Sequence, residues 1–161
     1  MKLALVCSHG GHLTEMSMLL PAFWGHERFF ITYRCARTEA LVGRERVYLL
    51  PNNGTNPLLM TLAFLMAMWI LLRERPSVVV STGAEVAIPF CWVGKLLGAR
   101  VIFIEGWHRV RTRSGTGPLV YPVADLFLVQ WPDLLRLYGP KAHYAGGVYD
   151  IRDSRTASTG V

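Results

Sequence analysis

Six short apolar runs punctuate the chain: KLALVC (2–7), RFFITY (28–33), RVYLL (46–50), SVVVS (77–81), RVIFIE (100–105) and DLFLVQ (125–130). They constrain its fold more than any other feature. Each is rich in β-branched and aromatic residues and mostly lacks polar alternation, the pattern of parallel strands covered on both faces. Helix-length stretches separate them, at about 13–22, 57–73, 84–97 and 131–138. Pro57 and Pro132 suit first helical turns, and Gly98 suits the position just past a helix end. This rhythm predicts an open, mostly parallel α/β sheet, doubly wound.

A chain of 161 residues, 52% of them hydrophobic, is long enough for one sizeable core and too short for two ordinary domains. One domain is expected over 1–150, with the polar IRDSRTASTGV (151–161) as a tail. Seventeen Lys and Arg against eleven Asp and Glu give a formal charge of +6, which favours an anionic partner: nucleic acid, a phosphorylated ligand or an acidic membrane face. Cys7, Cys35 and Cys91 form no CxxC pair, and their odd number fits a reducing compartment, so the cytoplasm is expected. Only five apolar residues follow Met1-Lys2 before Ser8, so no export signal is expected.

PLLMTLAFLMAMWILL (57–72) has no charge in sixteen residues and ends at Arg73, Glu74 and Arg75. As a helix it covers roughly 24 Å, short of the roughly 30 Å hydrocarbon core, so it is a poor membrane span. Two readings stand: a helix buried against the sheet, or one lying in the membrane interface. A surface helix normally keeps a polar face, and here only Thr61 offers one. In the second reading Leu65, Met68 and Trp69 enter the interface while Arg73 reaches for headgroups.

Ligands of open α/β sheets bind beyond the carboxyl ends of the strands, where strand order reverses. There the chain places SHGGH (8–12), STGA (81–84), EGWHR (105–109) and QW (130–131). The Gly10-Gly11 turn exposes backbone N–H groups before a helix N-terminus, a place for a phosphate or simply a tight connection. Thr82-Gly83 is a weaker candidate of the same kind. His12 can deprotonate an acceptor hydroxyl, its unperturbed pKa of about 6.5 lying near working pH. Glu105 ends an apolar run, where an unpaired carboxylate is costly, so it should face a polar site or pair with Arg109. HRVRTR (108–113) sets three arginines within five residues, on one face of a strand or in a loop that clamps an anion.

Nucleic acid would suit that basic patch, but no RNP, KH, zinc or helix-turn-helix pattern accompanies it. No metal-ligand spacing appears either. A stand-alone NADP-binding reductase, with Arg34 on the 2′-phosphate, lacks the G-x-G-x-x-G turn and an acidic residue after the second strand. A non-catalytic anion-binding module is the blander alternative.

SHGGHLTEM resembles the GSGGHTxEM-type opening of the membrane-side subunit of the two-part N-acetylglucosaminyltransferase of lipid-linked oligosaccharide synthesis. Gly10, Gly11, His12, Glu15 and Met16 match, and Leu13 and Thr14 do not. RPSVVVSTGAEVAIPF is similar to that family's second block, with Gly83 and Pro89 in place. IEGWHRVRTRSGTGPLVYPVADLFLVQW, the most specific stretch, resembles its IES-x-x-RV, S-x-TG, L-x-YP-x-ADLF-x-VQW block. The resemblance implies a Rossmann-like sheet equivalent to the N-terminal half of a glycosyltransferase-B fold, in the bacterial exopolysaccharide branch. It implies an acceptor-binding subunit, active only beside a separate nucleotide-sugar-binding chain, with no cofactor or metal of its own. The acceptor is then a polyprenyl-diphosphate-linked sugar, its diphosphate on Gly10-Gly11, with Thr82, Gly83, Arg109 and Gln130 lining the site. His12 or Glu105 is the base, and attachment is peripheral, on the cytoplasmic membrane face.

Overall fold

The computed structural model describes residues 1–52 and 56–149. Among them a seven-stranded sheet runs in the order β3-β2-β1-β4-β5-β6-β7, every neighbouring pair parallel. Its strands are β1 (Lys2–Cys7), β2 (Glu27–Tyr33), β3 (Val47–Leu50), β4 (Val78–Gly83), β5 (Arg100–Ile104), β6 (Leu126–Val129) and β7 (Ala142–Tyr144). The helices are α1 (Gly11–Leu19), α2 (Ala36–Glu39), α3 (Pro57–Glu74), α4 (Ala87–Leu96), α5 (Gly117–Val120) and α6 (Asp133–Tyr138). Strand order reverses between β1 and β4, where Leu3 lies between Arg28 of β2 and Val78 of β4.

Strand alternation sorts the core into two layers. Ala4 and Val6 of β1 face one layer with Phe29, Val79, Val101, Phe103 and Phe127, covered by Ala67, Ile70 and Leu71 of α3 and Phe90 and Cys91 of α4. Leu3, Leu5 and Cys7 face the other, covered by Leu13 and Met16 of α1. This second cover is incomplete. In β5 and β6 the first-layer residues Val101, Phe103, Phe127 and Val129 are buried, whereas Ile102, Leu126 and Leu128 on the opposite face are only half-buried. An open depression of about 910 Å³ lies there, lined partly by Val78, Arg100, Ile102, Asp125 and Leu126.

The expected strands are present with ends shifted by one or two residues, β4 running on to Gly83, and the expected helices shift too. The first ends at Leu19, before Pro21, and continues as a 3₁₀ turn over Leu20–Phe23. The helix expected from 84 starts at Ala87, because Gly83 (φ 113°) and Ala84 (φ 67°) both take left-handed backbone. The proposed tail, 151–161, lies outside the described residues.

The two readings of the long apolar segment meet in α3. Asn56 accepts from the Leu58 N–H at 3.0 Å to start it, and Arg75 in the left-handed region ends it. Ala63, Ala67, Ile70 and Leu71 are core, while Leu58, Leu62, Leu65, Trp69 and Leu72 are exposed. Met68 is half-buried and packs against the core. Arg73 stands over the Trp69 ring at 5.8 Å. Trp92 and Leu96 of α4 are exposed too, and a cleft of about 380 Å³ between the helices is lined by Phe64, Leu65, Met68, Trp92, Val93 and Leu96. No helix among the described residues is long and apolar enough to cross a membrane.

Glu74 ends the helix with a fully buried carboxylate, held by Lys2 and Arg46 at 2.6 Å each and by the Tyr48 hydroxyl. Burial opposes its charge, but these partners outweigh burial and leave its pKa below the usual carboxylate value. A depressed pKa makes the unfolded chain bind more protons in acid, so this contribution is full above about 4.5 and is lost as pH falls. Glu74→Gln should therefore cost about 1.5–3 kcal/mol at neutral pH in urea unfolding. The cost should shrink on acidification.

Candidate active site

The site sits on the carboxyl rim of the sheet. The chain leaves β1 through Ser8 and His9 into Gly10 (φ 80°, ψ −133°), a backbone that side chains rarely tolerate. A Cβ on Gly10 or Gly11 would meet nothing within 4 Å, so the space over the turn is open. No side-chain hydrogen bond caps α1 at Gly10, and the first N–H groups of a helix have no acceptor within it. Arg37 reaches across from α2 to the Gly10 carbonyl at 3.4 Å, adding a cation that the sequence did not single out.

His12 spans the reversal of strand order. Its Nδ1 lies 2.7 Å from the Thr82 carbonyl, and the Thr82 hydroxyl donates to the His12 carbonyl at 2.8 Å. A carbonyl only accepts, so Nδ1 carries the proton and Nε2 keeps its lone pair. Burial pushes the imidazole pKa down, the Thr82 contact opposes this, and His108, whose ring lies 5.6 Å away, lowers it further. Its pKa thus lies below the ordinary 6.5, which favours the neutral ring at pH 7. Two glycines make room for it: a Cβ on Gly83 would lie 3.1 Å from the His12 ring, and one on Gly106 would lie 3.3 Å from it and 2.7 Å from that of His108.

Glu105 stands one residue past β5 and is 1% exposed. Its carboxylate accepts from the Gly106 N–H at 3.0 Å, from the Ser114 hydroxyl at 3.0 Å and from the Tyr138 hydroxyl. Of the two outcomes left open for Glu105, polar surroundings form and the pairing with Arg109 does not. Among the described residues no ion pair joins them, because the carboxylate turns inward towards α6 and finds neutral donors there. Arg109 is half-buried, with its Nε buried and unpartnered.

Gln130, 4% exposed, is a hydrogen-bonded junction. Its Nε2 donates to the Glu105 carbonyl at 2.9 Å and to Glu15 at 3.1 Å, and its Oε1 accepts from the Val148 N–H at 2.8 Å. Glu15 also accepts from the Trp107 N–H at 3.2 Å. Burial pushes the Glu15 pKa up, and these two donors hold it back. Two buried carboxylates thus pin both ends of the segment 106–116, which carries His108, Arg109, Arg111 and Arg113 without helix or strand. The three arginines therefore occupy a loop.

Of the residues singled out in the sequence, His12, Thr82, Gly83, Gly10 and Gly11 meet at one point of the rim, and Glu105 and Gln130 lie beneath it. Leu65, Met68, Trp69 and Arg73 belong to α3, apart from it. Glu15 had a signal, three positions after His12 on the same helix face. Ser114 had one only through the S-x-TG part of the resemblance, and Tyr138 had none. Gly117 shows how tight their contact with Glu105 is, since a Cβ there would lie 2.6 Å from the Glu105 carboxylate. Gly117→Ala should cost about 1–3 kcal/mol in denaturant unfolding. Gly115→Ala, with nothing within 4 Å, should change stability little.

Comparison with known proteins bears on the family and the fold. The chain is 33% identical over 90 residues to the UDP-N-acetylglucosamine transferase subunit ALG14 of Yarrowia lipolytica, a match covering 52% of this chain and 41% of that one. To the human subunit of the same name it is 32% identical over 92 residues, covering 51% and 42%. The matched part spans about two-fifths of these curated relatives. Among solved structures, MurG of Acinetobacter baumannii superposes with a TM-score of 0.73 at 17% identity, over 91% of this chain and 45% of that one. The fold is the Rossmann-like N-terminal half of a glycosyltransferase-B architecture. Residues 53–148 match the family model described as oligosaccharide biosynthesis protein Alg14 like. That stretch holds α3 to β7 and every rim segment after β1, and by it the chain belongs to the Alg14-like family.

Proposed function

We propose that this chain is the acceptor-binding, membrane-recruited subunit of a two-chain inverting glycosyltransferase. It serves the transfer of a sugar from a nucleotide sugar to a polyprenyl-diphosphate-linked acceptor in polysaccharide biosynthesis. The observation that carries the reading is His12: Nδ1 committed to Thr82, Nε2 unprotonated, on the rim beside an open turn. The relatives' name makes UDP-N-acetylglucosamine the donor to try first.

In this reading the acceptor's diphosphate rests on the N–H groups of Gly10 and Gly11, with Arg37 and Arg109 as its cations. Nε2 of His12 removes the acceptor hydroxyl proton as that oxygen attacks the anomeric carbon. The bond to the nucleotide diphosphate breaks on the opposite face, which inverts the centre. Glu105 has its oxygens already engaged and is buried, so it shapes the loop while His12 takes the proton. A partner chain supplies the nucleotide-sugar site. The half-buried Ile102, Leu126 and Leu128 give that partner an apolar surface. Arg34, which a stand-alone NADP-binding reductase would need for the 2′-phosphate, pairs instead with Glu39 at 3.6 Å.

Membrane attachment falls to the exposed strip of α3 and α4, with Arg73 reaching past Trp69 towards lipid phosphates on the cytoplasmic face. Each Lys or Arg close to an anionic surface adds about 1 kcal/mol, a share that salt screens while the apolar share persists.

The purified chain alone should be inactive and should gain transfer activity with its partner; robust transfer by the chain alone would refute the two-chain reading. In the pair, His12→Ala should lower kcat by roughly 10²–10⁴-fold with folding retained. The acid limb of kcat/KM should fall below the ordinary 6.5, since burial lowers the His12 pKa. Glu105→Gln should act mainly on stability. A roughly 10²-fold kcat loss there, with His12→Ala near normal, would transfer the base role to Glu105.

On anionic liposomes the protein should float, less strongly in high salt. Leu65→Glu with Trp69→Glu should abolish flotation without changing Tm, because both side chains are exposed. Flotation unchanged in the double variant would remove α3 from the membrane contact.

A further inference from the structure

We propose that the aromatic cavity beside β6 and β7 is a saccharide subsite that holds one pyranose ring of the acceptor. This rests on the acceptor-binding reading above and names what that site recognises beyond the diphosphate. The cavity, about 230 Å³, is lined by Trp107, Gln130, Trp131, Tyr144, Gly147 and Tyr149. That is smaller than the roughly 300–1,000 Å³ of pockets for drug-sized ligands, and it suits a single ring.

Its walls are aromatic, half-exposed and held in place. Trp107, Tyr144 and Tyr149 are 42%, 41% and 43% exposed. The Trp107 ring lies 4.9 Å from that of Tyr149 and 5.9 Å from that of Trp131. The Trp131 indole N–H donates to the Trp107 carbonyl at 2.7 Å, and the Trp107 N–H donates to buried Glu15. Gln130 fixes the far wall through the Val148 N–H. Walls ordered in advance lose little freedom when a ligand arrives.

The chemistry selects the ligand. A pyranose has an apolar C–H face ringed by hydroxyls, and Trp and Tyr offer an apolar body with a polar tip. Aromatic cages also take quaternary ammonium groups. Among the described residues no carboxylate lines the cavity, the adjoining loop carries Arg109, Arg111 and Arg113, and the chain has a formal charge of +6, which disfavours a cation there. A neutral ring is not disfavoured. The cavity also adjoins the base: Trp107 is the chain neighbour of His108, whose ring touches that of His12.

The test is an intrinsic-fluorescence titration of the intact chain with N-acetylglucosamine and its β-1,4-linked dimer, with choline and glycerol as controls. Both sugars should give a saturable change at millimolar concentration, and choline and glycerol none. Tyr144→Ala and Tyr149→Ala leave both indoles as reporters and should weaken the response roughly tenfold with unchanged circular dichroism. In the paired enzyme Tyr149→Ala should raise the acceptor KM by a similar factor with donor KM and kcat unchanged. No saturable sugar response, a response to choline instead, or an unaltered response in both variants would overturn the subsite. So would loss of partner capture in Tyr149→Ala with sugar binding intact, which would make the cavity a subunit contact. The titration contains neither donor nor partner. Sugar binding without any transfer by the paired enzyme would therefore count against the function alone, and transfer without sugar binding against the subsite alone.

Discussion

The pair of hydrogen bonds between His12 and Thr82 joins the first turn of α1 to the end of β4, across the gap where strand order reverses. Every doubly wound sheet has such a gap, and adjacent loops leave it in opposite directions. Here the two loops are tied side chain to backbone in both directions, so the imidazole cannot turn without releasing Thr82. One contact thereby sets the tautomer, the ring plane and the width of the rim. Gly83 and Gly106 follow from it, since the ring occupies the volume that their side chains would need.

A second layer of order lies beneath. Glu15 and Glu105 are buried acids in a chain with excess positive charge, and both are spent on backbone N–H groups, hydroxyls and an amide rather than on arginine. Neutral donors can reach into a closed space that a hydrated guanidinium enters only at a cost. Arg111 and Arg113 of the 106–116 loop are therefore left exposed and Arg109 half-buried, while the acids that shape the loop are buried.

The architecture could be read from the sequence because β1, β2 and β4 are continuous apolar runs that only a covered parallel sheet accommodates. β7 could not, being three residues, AHY, with two of them exposed. α5 is four residues and equally silent. The places of His12 and Thr82 on the rim were legible because His12 opens the helix that follows β1 and Thr82 lies at the carboxyl end of β4. The orientation of Glu105 was not, since its partners Ser114 and Tyr138 come from nine and 33 positions further on. Hydropathy was blind in α3 for another reason: core and exposed strip share one composition, and only packing separates Ala67 from Leu65.

Gln130 carries a consequence of its own. Its amide uses both ends at once, the nitrogen towards Glu15 and the Glu105 carbonyl, the oxygen towards Val148. A glutamate would fill the same volume with the same rotamers, but it would bring a third acid against an acceptor that is already a carboxylate. The position therefore discriminates between two nearly isosteric side chains purely by hydrogen-bond polarity. A single deamidation there, adding no bulk, would set the rim loop and the segment before Tyr149 loose from each other.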